Sequence, residues 1–317
     1  MGVERGPTLA FPGQNSVEAG MGKRLHDSYP VAREVYKIAD HTLGFGITEI
    51  CIDGTIEDLQ PSNIAQPALV ATSCAWLEVL KTTRQDLLHR PSAIISHSTG
   101  EYSGLVATGS LSLEDALLVS HARGQFLDEE AEKNPASMIA FIGLNQEEVE
   151  QICSLSGSEI ANINSDRQIV LAGTKPAIAK AVQIARELKA KIVDLGIGVG
   201  SHFSGAEPVA KKLALVLQNV DVSAPKIPFV ANATTDYVKT ASQVKDALVR
   251  QLTNRVRWLD MVIKMIQDGN IKFCEIGPRD TLTRLIRRIA KDRLLTVEAF
   301  STADILAQSK SNFSNRI

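Results

Sequence analysis

The chain has 317 residues, 44% of them hydrophobic, which is enough to bury a full core and to build one large domain with a smaller one beside it. Its 34 basic and 36 acidic residues nearly cancel, so no global field draws the whole protein to nucleic acid or to an anionic membrane, and a charged partner has to be met locally. No apolar run reaches the roughly 18 residues of a membrane span, and the isolated Cys51, Cys74, Cys153 and Cys274 form neither a CxxC pair nor a zinc spacing.

Short apolar runs alternate with stretches of helical period, the pattern of an α/β fold with a mostly parallel sheet. Thr8 to Phe11 reads as the first strand and Gln66 to Leu80 as a helix. Ala93 to Ser96 reads as a buried strand, followed by helices over about Gly100 to Val106 and Leu113 to Glu130. Between about Phe126 and Gly196 the order changes to strand (Met138 to Ile142), helix, strand (Glu159 to Ile163), strand (Gln168 to Ala172), helix, strand (Lys191 to Leu195). That is a βαββαβ, ferredoxin-like unit. Asn145 with Glu148 three residues on makes a capping-box signature for its first helix, and Thr174 followed by Pro176 marks the second.

From Glu207 a helix runs to about Leu217, then come a strand near Phe229 to Asn232 and helices over Ala241 to Gln251 and Trp258 to Gln267. A last strand, Ile271 to Glu275, leads into a helix at Leu282 to Ile289. The expectation is a large α/β-hydrolase-like domain over 1–126 and 197–307, an inserted ferredoxin-like subdomain over 127–196, and a frayed polar tail over 308–317. Met1 to Pro7 carries neither a secretory nor a transit pattern. Together with the reduced thiols this predicts a cytoplasmic monomer; an organelle matrix with the presequence removed is the alternative.

Chemistry concentrates in Ile94 to Tyr102, where a buried strand runs into Ser98 and then into a helix. A serine on so sharp a turn is held out beside the free N–H groups and dipole of the following helix, a geometry suited to attack on an acyl carbonyl. Of the generic GxSxG elbow the first glycine is replaced by Ser96, and a serine that merely caps a helix gives the same local pattern. A serine hydroxyl needs a base. Among the six histidines His202 is the best placed, at the return from the inserted unit, after the glycine-broken segment Gly196 to Gly200. His97 is adjacent to Ser98 and should point away from it, while His26, His41, His89 and His121 have surface or helix contexts.

Read with its flanks, His97-Ser98-Thr99-Gly100-Glu101-Tyr102 resembles the GHSxGE block of the malonyl-CoA:acyl carrier protein transacylases, and the family's other blocks follow in order. Phe11-Pro12-Gly13-Gln14 is similar to its FPGQ, Gln66-Pro67-Ala68 to its QPA, Arg123-Gly124 to its RG pair, and Ala161-Asn162 with Asn164-Ser165 to its ANxNS. Ser201-His202 resembles its histidine segment, Gln251-Leu252 with Val256-Arg257-Trp258 its QLxxxVRW, and Glu275 to Pro278 its EIGP.

The resemblance implies a Ser98–His202 dyad with the histidine oriented by the main-chain carbonyl of Gln251. It also implies an oxyanion hole made by the N–H groups of Gln14 and Thr99, and Arg123 as the holder of a substrate carboxylate, with Gln66, His97 and Asn162 in support. A guanidinium suits a carboxylate because its two-pronged donor matches the acceptor and keeps its charge. A solvated arginine on the helix is the competing reading for Arg123. The implied substrates are a CoA thioester and an acyl carrier protein, with no metal or other cofactor, in fatty acid or polyketide synthesis. Trans-acting polyketide acyltransferases and malonate decarboxylase transferase subunits are the alternatives within the fold, and a non-catalytic carrier-binding scaffold is the alternative outside it.

Asn15 and Val17, Ser96, Arg279 and the Phe203 to Ala206 stretch depart from the family pattern and bear on acyl selectivity. Asn15 is expected to tolerate positive φ where the family has glycine. Arg284, Arg287, Arg288 and Lys291, at helical spacing, form a basic face read first as solvated and second as a carrier-docking surface.

Overall fold

The computed structural model describes residues 5–196 and 200–305. In chain order, β1 (Thr8–Phe11) is followed by α1 (Lys23–Ser28), α2 (Pro30–Leu43), α3 (Ile47–Asp53), the long α4 (Ser62–Thr83) and the short α5 (Gln85–Leu88). Then come β2 (Ile94–Ser96), α6 (Gly100–Thr108) and α7 (Leu113–Lys133). β3 (Ala136–Ile142), α8 (Gln146–Ser156), β4 (Glu159–Ser165), β5 (Gln168–Thr174), α9 (Lys175–Glu187) and β6 (Lys191–Asp194) form the βαββαβ unit. The chain closes with α10 (Glu207–Gln218), β7 (Phe229–Val230), β8 (Tyr237–Val238), α11 (Ala241–Thr253), α12 (Trp258–Gln267), β9 (Lys272–Glu275), α13 (Thr281–Asp292) and β10 (Glu298–Ser301).

The first sheet runs β10-β9-β1-β2-β7-β8, with β8 alone antiparallel. Its central strands are buried on both faces, as the continuous apolar runs Leu9 to Phe11 and Ile94-Ile95 require. Phe11 pairs with Ser96 at the carboxyl ends of β1 and β2, and the His97 N–H donates to the Phe11 carbonyl at 2.9 Å. The loops after the two strands therefore emerge side by side at the carboxyl edge, where open parallel sheets bind their ligands.

The second sheet, β4-β5-β3-β6, is antiparallel throughout, the ferredoxin-like order. Its first helix starts in the expected capping box: Asn145 Oδ1 accepts the Glu148 N–H at 2.9 Å, and the Glu148 carboxylate accepts the Asn145 N–H at 2.7 Å. The outer edge of β4 is covered by the loop before α12. There Val256 donates to the Ala161 carbonyl at 2.8 Å and accepts from Ile163 at 2.9 Å, which ties the small sheet to the loop between α11 and α12.

Several expectations change. A domain boundary at 126/127 would cut α7, which continues to Lys133; the helix is one rigid unit, so the chain passes to the second sheet only at Ala136. Asn15 sits inside a 3-10 turn, Gln14–Ser16, and is not among the positive-φ residues, so it needs no glycine-like freedom. The tail at 308–317 and the 197 and 307 boundaries lie outside the described residues. Cys51, Cys74 and Cys274 are buried free thiols, each pushed up to about 12 by burial.

Candidate active site

Ser98 sits between β2 and α6 with φ +49, the left-handed region that a residue with a Cβ occupies only under constraint. The constraint is visible. Asn232, just past β7, accepts the Ser98 N–H on Oδ1 at 2.7 Å and donates from Nδ2 to the Ser96 carbonyl at 2.9 Å, bracing both sides of the turn. Gly100 is required behind the turn, because a Cβ there would collide with the Phe11 carbonyl. The departure at Ser96 is accommodated by Gly104 one helical turn on, where a Cβ would lie 2.7 Å from the Ser96 hydroxyl.

His202 Nε2 stands 2.7 Å from Ser98 Oγ, and His202 Nδ1 is 2.7 Å from the main-chain oxygen of Gln251. A carbonyl only accepts, so Nδ1 carries the hydrogen and the Nε2 lone pair receives the serine hydroxyl. The ring is fixed from its own backbone as well, since the His202 N–H donates to the Leu252 carbonyl at 2.8 Å. Burial, and next the positive charge of Arg123, lower the imidazole to about 3, so it rests neutral. His97 turns the other way, as its position predicted: its Nε2 meets Asn164 Oδ1 at 2.9 Å and its ring tilts against Trp258.

Arg123 is 1% exposed, which removes the solvated-helix reading. It donates from Nη1 to Gln66 Oε1 at 2.7 Å and Thr99 Oγ1 at 3.3 Å, and from Nη2 to Gln251 Oε1 at 3.1 Å and Ser98 Oγ at 3.5 Å. Every one of these acceptors is neutral, so a buried cation stands beside Ser98 with no carboxylate among the described residues bonded to it.

Local sequence explains how it gets there. A Cβ at Gly124 would collide with the Ser62 carbonyl, so this glycine lets α7 close on the start of α4 and brings Arg123 to Gln66. Pro67 lacks the N–H that would bond the Asn63 carbonyl within α4; His121 Nδ1 donates to that carbonyl instead, at 2.7 Å. Asp128 of α7 accepts the Ser62 and Asn63 N–H groups at 3.1 and 2.9 Å, completing the seam.

Gln14 lies across from the elbow, and its Oε1 accepts from Gln66 Nε2 at 3.5 Å. A Cβ at Gly13 would lie 2.7 Å from the His97 carbonyl, so the glycine sets this close approach of the two loops. Asn162 of β4 is 3% exposed and lines the narrow cavity of Ser98, Arg123 and His202, with no partner for its Oδ1. A second groove of about 660 Å³ also reaches His202, between α8 and β4 on one side and the loop from α11 to α12 on the other, lined by Glu150, Arg255 and Arg257 among others. The predicted set of Ser98, His202, Gln14, Thr99, Arg123, Gln251 and Gln66 is thus brought together, with Asn162 on the opposite wall and His97 behind the turn.

The family whose description is "Acyl transferase domain" matches residues 8–315. The chain belongs to that acyl transferase family. It is 34% identical over 302 residues to the malonyl CoA-acyl carrier protein transacylase of Haemophilus influenzae, covering 94% of this chain and 95% of that one. Its fold superposes with a TM-score of 0.90, at 32% identity, on the acyl-carrier-protein S-malonyltransferase of Bartonella henselae, covering 96% and 99% of the two chains. A malonyl-transacylase solved in complex with a type II PKS acyl-carrier protein matches with a TM-score of 0.88 at 32% identity, over 93% and 95%.

Two members of this acyltransferase site went unassigned in the sequence. Asn232 stood only as a strand end, and nothing in its neighbours marks it as the brace of a turn 134 positions away. Glu101 was one letter of a motif; an acid beside Gly100 and Tyr102 in a buried helical turn was the available signal. The basic face of α13 is exposed, as its first reading expects. Arg284 pairs with Asp280 at 3.1 Å, Arg287 with Asp304 at 3.5 Å and Arg288 with Asp292 at 2.9 Å, so its arginines are matched locally.

Proposed function

We propose that the protein is a malonyl-CoA:acyl carrier protein transacylase that carries the malonyl group on Ser98. The observation that carries this is the run Gln251 carbonyl, His202, Ser98 hydroxyl, with the carboxylate-free Arg123 guanidinium 3.5 Å from the same oxygen. A nucleophile, its base and a binding site for a carboxylated acyl group meet within one buried cavity.

Ser98 Oγ attacks the thioester carbonyl as its proton passes to His202 Nε2, forming the tetrahedral intermediate. The developing oxyanion takes the main-chain N–H groups of Gln14 and Thr99, neither of which donates to another described group. Collapse breaks the C–S bond, CoA leaves with the proton from His202, and malonyl remains as an ester on Ser98. The phosphopantetheine thiol of the carrier then attacks, giving its proton to His202, and the restored serine hydroxyl completes a ping-pong cycle. Arg123 holds the malonyl carboxylate throughout. That carboxylate also offsets the positive charge that lowers His202, so the base strengthens as the right acyl group binds.

A polyketide carrier is a second reading, favoured by the likeness to the malonyl-transacylase solved with a type II PKS carrier. Four cysteines without a disulfide fit a reducing compartment and so support a cytoplasmic site for either. The test is a trapped acyl-enzyme. Radiolabel from malonyl-CoA is expected on the wild-type protein, chased off by holo carrier protein, and absent from Ser98→Ala. A protein that binds carrier but never takes label would instead be a scaffold.

A further inference from the structure

Glu101 touches no substrate in this scheme, yet it is fully buried on α6 one turn from the nucleophile. Its Oε1 accepts the Asn232 main-chain N–H and Nδ2, both at 2.7 Å, and its Oε2 accepts Gln251 Nε2. All three partners are donors. Burial pushes its carboxyl up to about 7 against these hydrogen bonds and the charge of Arg123, but its hydrogen-bond partners among the described residues all donate and none accepts a carboxyl proton, so the geometry favours the ionised form.

An amide fills the same space whichever way it is flipped, and a neighbour decides which end is oxygen. A carboxylate can only accept. It therefore turns Asn232 Nδ2 toward itself, which leaves Asn232 Oδ1 to take the Ser98 N–H at 2.7 Å. It likewise turns Gln251 Nε2 toward itself, which leaves Gln251 Oε1 to take Arg123 Nη2 at 3.1 Å, while Nε2 also reaches the Ser98 carbonyl at 3.1 Å.

We propose that Glu101 is the positioning residue that fixes both side-chain amides, so that one buried carboxylate sets the strained serine turn and the orientation of the carboxylate-binding arginine together. It supplies the negative charge of a buried pair that Arg123 needs, at one amide's remove. Arg123 is compensated without being bonded to an anion, and its donors stay available to the substrate. A direct Glu–Arg pair would stabilise the buried cation more strongly but would occupy the clamp. The inference rests on the transacylase reading above.

The tests are Glu101→Gln and the transposed double variant Glu101→Gln/Gln251→Glu, each assayed for the acylation rate of Ser98 by malonyl-CoA and by acetyl-CoA. In the single variant the new amide meets donors on both sides; its oxygen stays with Asn232 and its nitrogen confronts Gln251 Nε2. Gln251 flips and Arg123 loses an acceptor. A loss of roughly ten- to a hundred-fold in malonyl acylation is expected, the size of one or two misplaced hydrogen bonds to charged groups, with a smaller loss for acetyl. In the double variant the Asn232, 101, 251 and Arg123 side chains are again matched donor to acceptor and only the Ser98 carbonyl loses its donor, so folding and acetyl transfer recover in part. Malonyl preference stays lost, because the carboxylate at 251 now pairs directly with Arg123.

A single variant that keeps the wild-type malonyl-to-acetyl ratio overturns the proposal, and so does a double variant no better folded than a single one that fails to fold. These outcomes are read only against a wild type that takes label. An unlabelled wild type counts against the transacylase reading itself, and the thermal stabilities of the two variants then still report whether the amides follow the carboxylate.

Discussion

Arg123 and the arginines of α13 are the same residue type on amphipathic helices, and the fold uses them in opposite ways. Arg284, Arg287 and Arg288 lie at the surface, each within 3.5 Å of an aspartate, where water and the partner share the charge. Arg123 is buried among neutral oxygens, with its counter-charge Glu101 reached only through Gln251. A cation matched by a bonded acid has little left to offer a ligand. One that is compensated at a distance and desolvated keeps both its charge and its donors for a substrate carboxylate.

The comparison can be broken at either end. The largest effect is expected next to Arg123, at the base: His202→Ala should slow Ser98 acylation by about 10²- to 10⁴-fold, the usual contribution of a positioned general base, as measured by rapid-quench labelling. Replacing Arg123 with lysine keeps the charge but loses the fork that spans Gln66 and Gln251. A fall of roughly ten- to a hundred-fold in kcat/KM for malonyl-CoA is expected, and an unchanged value would mean that charge alone suffices.

The burial of the base, with the charge of Arg123 second, gives a pH test. His202 is held at about 3, below the roughly 6.5 of an unfolded histidine. The unfolded state therefore binds the proton first, and stability is lost as pH falls through the window from about 6.5 to about 3. Denaturant titrations of His202→Gln should show that loss reduced. The smallest effects belong to α13, where Arg284→Ala and Arg288→Ala should each change stability by no more than about 0.5 kcal/mol in urea unfolding. They should leave the KM for carrier protein unchanged; a several-fold rise would restore that face as a docking surface.

Much of this was legible because local rules and function coincide. The βαββαβ order was read from strand and helix periods, and the capping box at Asn145 falls where the motif put it. Where tertiary contacts decide, the sequence was silent. β8 and β10 are too short or too mixed to stand out, and exist because a neighbouring strand edge receives them. The domain boundary at 126/127 falls inside α7 because a change in the order of elements does not end a helix already under way. In the site, Ser98, His202 and Arg123 were found through ordered motifs. Asn232 was not, since an asparagine that braces a turn carries no pattern of its own. Arg123 shows the limit most clearly: helical context could not separate a solvated arginine from a buried one, and the deciding fact is Gly124, whose missing side chain lets α7 close on α4.

The most direct test of the account is single-turnover acylation of Ser98 by malonyl-CoA and by acetyl-CoA, in wild type and in Arg123→Ala. The wild type should take malonyl far faster than acetyl, and the variant should lose that preference by slowing with malonyl while acetyl is largely spared. A variant that still prefers malonyl by the wild-type ratio would contradict the claim that a buried, carboxylate-free arginine selects the acyl group.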